Sequence, residues 1–271
     1  MKKLKMLMIV LPVLLIATFF ISGCQTILVP KDGETETGET ETRKYDFSEF
    51  TRVDIGSAFI YEVIQSDTYS VSITANNNVF DDIKVTQEGQ TLIIGMEIPG
   101  VPWTIFKVNP SLKVVITMPQ LDGLDSSGAT YGTISEFIST DALDITISGA
   151  SSIELVKISA GDVTFDVSGS SKVTGDIEAK NMELGVSGAS TVQLKGSASS
   201  MVADVSGSSS LRLSDLKVEN ANVIFSGASN GIINLNGSLD AKLSGSSRLV
   251  YIGDPALGIM DITGASTLKK K

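Results

Sequence analysis

The sequence contains no histidine, and its 271 residues include one cysteine and one tryptophan. Without imidazole there is no histidine metal site, no serine–histidine–aspartate triad and no histidine-based pH switch. A lone cysteine, Cys24, forms no internal disulfide. Basic charge is also short: 21 lysines and arginines stand against 31 acids, for a formal charge of -10 and a pI near 4.6. A nucleic-acid partner calls for a basic footprint, which this composition does not supply. Aromatics make up 6% of the chain, whereas 42% is hydrophobic and 25 residues are glycine. A chain of this length and apolar content buries its own core without staples.

The amino end carries an address. Lys2, Lys3 and Lys5 precede an apolar run from Met6 to Ile21, interrupted by Thr18, that ends in Ile21-Ser22-Gly23-Cys24. A basic start, an apolar stretch and small residues make a secretory signal. The other reading is a transmembrane helix, for which 16 apolar residues are short. The ending resembles a bacterial lipoprotein signal, with isoleucine where that pattern has leucine three places before the cysteine. The resemblance implies cleavage before Cys24 and lipid attachment to it. On that reading residues 1–23 are a signal peptide, and the chain from Cys24 onward holds to the membrane through lipid rather than surface charge. Gln25 stands where enterobacterial lipoproteins kept at the inner membrane have aspartate. That points to the outer membrane in a cell with two, facing either the periplasm or the surface. Residues 31–42 contain four glutamates and an aspartate and no apolar side chain. They build no core and repel one another, so residues 24–42 read as the lipidated cysteine and an acidic flexible tether.

One phrase then recurs. Its glycines are Gly128, Gly149, Gly169, Gly188, Gly207, Gly227, Gly245 and Gly264, each within Ser-Gly-Ala/Ser-Ser or a close variant, at steps of 18 to 21 residues. Between the phrases, apolar and polar residues alternate: Val163, Phe165 and Val167 share one parity, and Asp162, Thr164 and Asp166 the other. Period two means strand, and a fixed period of this length means stacked repeats. The reading is an all-β single-stranded parallel β-helix, with coils of about 19 residues sharing one narrow core. A propeller blade needs about twice that length. Each coil is expected to hold three short strands. The glycine supplies a bend or a close backbone approach. The fourth residue of each phrase, Ser151, Ser171, Ser190, Ser209, Ser229, Ser247 and Ser266, falls on the buried parity, which predicts an inward or corner-lying serine column. Identical serines without a neighbouring base do not make a nucleophile, so no catalytic residue, metal site or cofactor is expected.

Residues 43–120 are strand-rich but irregular, with a hairpin read at Glu88-Gly89-Gln90 and most of the aromatics. They read as a bulky cap on a regular stack at 121–268, which is followed by a basic tail at 269–271. Three prolines and a glycine mark a loop at 99–110 that holds Trp103 and Phe106. These two side chains either plug the end of the core or form a contact site for glycan or protein.

Arg52-Val53-Asp54-Ile55-Gly56-Ser57-Ala58-Phe59, together with the recurring phrases, resembles the putative auto-transporter adhesin, head GIN domain family, over about residues 45–268. The resemblance implies a right-handed β-helix and an adhesive role, and it places no catalytic or binding residue on this sequence. An autotransporter also carries a membrane barrel of amphipathic strands, and none is read in this sequence, so the family label is not expected to describe the route of export. The expectation is therefore a non-enzymatic cell-envelope lipoprotein, an adhesin or interaction module for an envelope or extracellular glycan or protein, of undetermined oligomeric state. A self-assembling scaffold is the alternative, and a polysaccharide-acting enzyme a weaker one. That enzyme would need clustered acids with a lysine or arginine on one face.

Overall fold

The computed structural model describes residues 39–97 and 112–271. Among them are eighteen strands of one sheet and one 3-10 helix, Asn77–Asp82. The alternating pattern becomes a β-solenoid. The chain passes from β8 (Gly123–Ser126) through the first phrase to β9 (Tyr131–Ser135), and on to β10 (Leu143–Ile147). Then come β11 (Ser152–Val167), β12 (Lys172–Val186), β13 (Thr191–Val205), β14 (Ser210–Phe225) and β15 (Asn230–Leu243). Each of these is paired in parallel with the next. The stack finishes with β16 (Arg248–Ile252), β17 (Ala256–Ile262) and β18 (Thr267–Lys270).

The regular coils differ from the expectation of three short strands. From β11 to β15 the chain stays in strand for 14 to 16 residues and breaks only at the phrase. Corners are turned inside the strand. Gly175 and Gly196 sit at φ 140° and 118°, and register shifts fall between Leu155 and Ile158 and between Gln193 and Lys195. A bulge bends a strand while the ladder resumes beyond it.

The cap has an order that chain succession does not suggest. Among its strands are β2 (Arg52–Ile55), β3 (Ile60–Gln65), β6 (Thr91–Met96) and β7 (Lys113–Met118). β2 lies between β6 and β8, and β3 lies between β7 and β9, all in parallel. The coil of residues 52–65 is thus inserted between two coils that follow it in sequence. Antiparallel strands close the outer side. β5 (Ile83–Glu88) forms the hairpin with β6, pairing Val85 with Ile94. β4 (Ser70–Asn76) lies on β7, and β1 (Thr40–Tyr45) lies on β4. β1 begins at Thr40, so the last three residues of the segment read as tether are in strand.

The core is continuous. Phe50, Phe59 and Tyr61 fill its cap end at 0% exposure, and Val167, Val173, Val192 and Leu211 do so in the coils. Burying one such aliphatic side chain contributes about 1.5–3 kcal/mol. Two glycines interrupt the apolar column four residues after the phrase glycine, and each is filled by a neighbour. A Cβ on Gly132 would lie 2.0 Å from Cζ of Tyr61, and one on Gly231 would lie 2.4 Å from Cζ of Phe225.

Candidate binding surface

The recurring corner is an interlock of backbone. All eight phrase glycines have φ between 69° and 83°. A Cβ on any of them would sit 2.3–2.7 Å from the carbonyl oxygen of the equivalent residue one coil earlier. That same carbonyl accepts the N–H of the third phrase residue in the next coil, as in Ala150 to Gly128 at 2.7 Å and Ala189 to Gly169 at 2.8 Å. Glycine is therefore required twice, by its left-handed conformation and by the approach of the preceding turn.

The fourth residues form a buried column. Ser151, Ser171, Ser190, Ser209, Ser229 and Ser247 are at most 2% exposed, whereas Ser266 in the last coil is part-exposed. Their hydroxyls reach backbone carbonyls of neighbouring turns. Ser190 and Ser209 donate to Gly169 and Gly188 at 3.4 Å, and Ser229 reaches Val205 at 3.2 Å as well as Ser226 of its own turn at 2.8 Å. Some accept as well, since the Ser171 N–H donates to Ser190 Oγ at 3.3 Å. Paired in this way, the buried hydroxyls avoid the penalty of an unsatisfied polar group.

A ninth copy of the phrase, which the serine–glycine pattern misses, is Gly56-Ser57-Ala58-Phe59. Ser57 takes the glycine position at φ 68°, and the Ala129 N–H donates to its carbonyl at 2.7 Å. Its side chain has a partner at the end of β6, where the Met96 N–H donates to Ser57 Oγ at 3.1 Å. The legible signal was the alternation Val53, Ile55 before the phrase and Phe59, Tyr61 after it.

The outer faces carry the chemistry that a partner would meet. On one, outward positions of successive coils run Asp54, Asp125, Thr146, Asp166, Gly185, Asp204. From Asp125 onward an uncharged residue separates each carboxylate from the next. Only Asp54 and Asp125 are direct neighbours, and burial together with the Asp125 charge raises the Asp54 carboxyl above its ordinary range. Arg52 crosses Gly123 to reach Asp144, Nη1 to Oδ2 at 3.3 Å. At a corner, side chains join successive coils: Asn181 Nδ2 donates to Asp162 Oδ1 and Ser200 Oγ to Asn181 Oδ1, both at 2.6 Å. A second face holds the paired residues Ile60 and Tyr131, 54% and 50% exposed, beside a Lys113–Glu62 ion pair of 3.2 Å.

No group of three acidic, cysteine or histidine residues among the described residues is placed to hold a metal ion. No helix of the described residues is long and apolar enough to cross a membrane. Cys24, Trp103 and Phe106 lie outside the described residues.

The fold has solved relatives. A structure titled a putative adhesin from Parabacteroides distasonis aligns with TM-score 0.79 at 18% identity, over 87% of this chain and 98% of that one. A putative adhesin from Parabacteroides merdae does so with TM-score 0.79 at 20% identity, over 87% and 97%. A third, titled a putative lipid binding protein from P. distasonis, has TM-score 0.68 at 17% identity, over 87% and 98%. None is named an enzyme, and at these identities the likeness concerns the fold. No curated protein matches this sequence. The model of one family, however, covers residues 49–255, from the inserted cap coil through to the last coils of the stack. By that match the chain belongs to the putative auto-transporter adhesin, head GIN domain family.

Proposed function

We propose that this protein is a lipid-anchored module of the bacterial cell envelope that binds a glycan or protein partner and carries out no reaction. Family membership supports the adhesive context. The observation that carries the reading furthest is the rigid surface: side chains at fixed coil positions stand at the strand spacing of about 4.8 Å along the stack. Such a surface engages a repetitive or extended partner without rearrangement. Residues 1–23 act as the signal, Cys24 takes the lipid, and the acidic segment after it spaces the fold from the membrane. The outer membrane is the destination where two membranes exist. Trp103 and Phe106 form a contact loop.

Metabolic labelling with an alkyne fatty acid, followed by membrane fractionation, tests the anchor. The wild-type chain is expected to label and sediment with the outer membrane, and Cys24→Ser to do neither. Labelling of the variant would overturn lipidation at this residue. A glycan and envelope-protein screen on the full chain in detergent tests the contact loop. Trp103→Ala is expected to weaken the interaction about tenfold or more, as loss of a buried aromatic anchor does. Unchanged binding moves the contact to the coil faces. A self-assembling scaffold is the second reading, favoured by exposed Leu257, Ile259 and Ile262 on one strand. Sedimentation that gives a monomer at every concentration removes it.

A further inference from the structure

One side of the first regular coils departs from the stack. There the continuous ladder gives way after β9 to an isolated bridge, Ile138 to Ser159, and a separate bond from the Gly161 N–H to the Asp141 carbonyl at 2.9 Å. Just before each bridging segment stands a non-glycine residue in the left-handed region, Glu136 at φ 64° and Lys157 at φ 55°. The two are held together by an ion pair of 3.4 Å. Strained backbone of this kind persists only where its surroundings enforce it, and it concentrates at binding sites. Beside it opens a cleft of about 120 Å³.

The cleft is built from two kinds of surface. Its apolar wall includes Leu121, Phe137 and Ile158, which are 6%, 4% and 2% exposed, and Ile138 lines it at 70% exposure. Its polar rim is fixed in advance. Gln65 Nε2 donates to the Pro119 carbonyl at 3.1 Å, and its Oε1 accepts the Ile138 N–H at 3.2 Å. Asp141 Oδ2 accepts from Ser139 Oγ at 2.8 Å and from Gln120 Nε2 at 3.3 Å. Asp141 Oδ1 has no hydrogen bond within the described residues.

We propose that this cleft binds one ring of a neutral saccharide, with Asp141 Oδ1 accepting from ring hydroxyls and Ile138 lying against a C–H face. An oriented carboxylate and amide beside an apolar side chain matches the two faces of a sugar. The volume fits part of a single ring. The local charge selects against acidic sugars, because Glu136 and Lys157 cancel while Asp141 remains, with Asp122 behind it accepting from Gln120 Nε2 at 2.7 Å. The proposal deepens the binding-module reading by naming a ligand class, and it rests on that reading.

The test uses the full chain in detergent micelles with labelled isoleucine δ1-methyl groups. It is titrated with methyl glycosides of glucose, galactose, mannose and N-acetylglucosamine, and with methyl glucuronide. At least one neutral glycoside is expected to shift the Ile138 and Ile158 methyls with half-saturation at about 1–10 mM. Asp141→Asn and Ile138→Ser are expected to weaken that binding at least tenfold, Ile224→Ser on a distant face to leave it unchanged, and glucuronide to bind at least tenfold more weakly. Absence of shifts up to about 50 mM, equal binding by Asp141→Asn, or equal binding of glucuronide overturns the assignment. Shifts confined to methyls elsewhere, or a positive envelope-protein screen with no sugar response, overturn the cleft but leave the binding-module reading standing. Failure of both screens removes both.

Discussion

At the phrase glycines, conformation and space act together, and substitution separates them. Gly89 has φ 59° with nothing within 4 Å of a Cβ, whereas Gly188 has φ 74° with a carbonyl oxygen 2.3 Å away. Gly89→Ala should lose only the left-handed preference, about 1 kcal/mol, and Gly188→Ala about 3 kcal/mol or more. Denaturation midpoints of the two variants read the difference directly, and equal shifts would mean that the coils do not interlock there. Ser190→Ala removes an acceptor for the Ser171 N–H and a donor to Gly169. A loss of about 1 kcal/mol is expected in the same measurement. Asp54 gives the pH dependence. Its folded pKa is raised, so the folded state holds the proton more tightly than the unfolded chain does. This contribution is fully present below the unfolded carboxylate pKa and is lost as pH rises through the folded one, which leaves the charged form unfavourable at neutral pH. Asp54→Asn should stabilise at pH 7 by less than about 1 kcal/mol, given partial solvent screening, and the gain should vanish near pH 3. A gain that persists at pH 3 would assign the effect to something other than the half-buried Asp54 charge and its Asp125 neighbour.

Within the elements, spacing in the sequence and register in the sheet are one quantity seen twice. The glycine steps opening at Gly169 and Gly188 are both 19 residues. The register from Lys172 to Val186 against Thr191 to Val205 accordingly runs without a shift. Where neighbouring steps differ, 19 against 20 after Gly188 and Gly207, the surplus is absorbed between Gln193 and Lys195. This much was legible in the sequence. The length of the strands was not, because three short strands were expected in each coil whereas the parallel ladder carries on through Gly175 and Gly196. The inserted coil was equally hidden, since parallel pairing places no mark on Arg52 or Ile60 that names β6, β7, β8 or β9 as neighbours. The ninth phrase escaped because serine, Ser57, stands at the glycine position with φ 68°. Gly132 and Gly231 show a further layer, a hole in one element matched to an aromatic in another. Gly132→Ala should destabilise by about 1–3 kcal/mol through overpacking on Tyr61. Combined with Tyr61→Val it should recover part of that loss, so the cycle gives a favourable coupling energy. Additive losses would show that the two positions do not share the space.

For the solenoid as a whole, nearest-neighbour stacking means that the unit of tolerance is the coil rather than the residue. Stability in such an array is approximately a sum of coil terms and the interfaces between successive coils. Deleting residues 188–206 joins Ser187 to Gly207 and preserves an intact Ser-Gly-Ser-Ser corner. It also sets β12 against β14, whose partner in the full chain, β13, shares the register of β12 without a shift. Every side chain then keeps its inward or outward parity, and one coil interface is lost. Deleting residues 188–197 removes about half a coil, leaves no corner over Gly169, and sets the remaining strand out of step with its neighbour, which no bulge restores. The whole-coil deletion should therefore keep a strand-type circular dichroism spectrum and resist limited proteolysis, with a lowered denaturation midpoint. The half-coil deletion should be degraded as an unfolded chain. If both fold equally well, or if both fail, stability is not carried by coil-to-coil contacts, and the regular spacing of side chains proposed for partner binding would lose its physical basis.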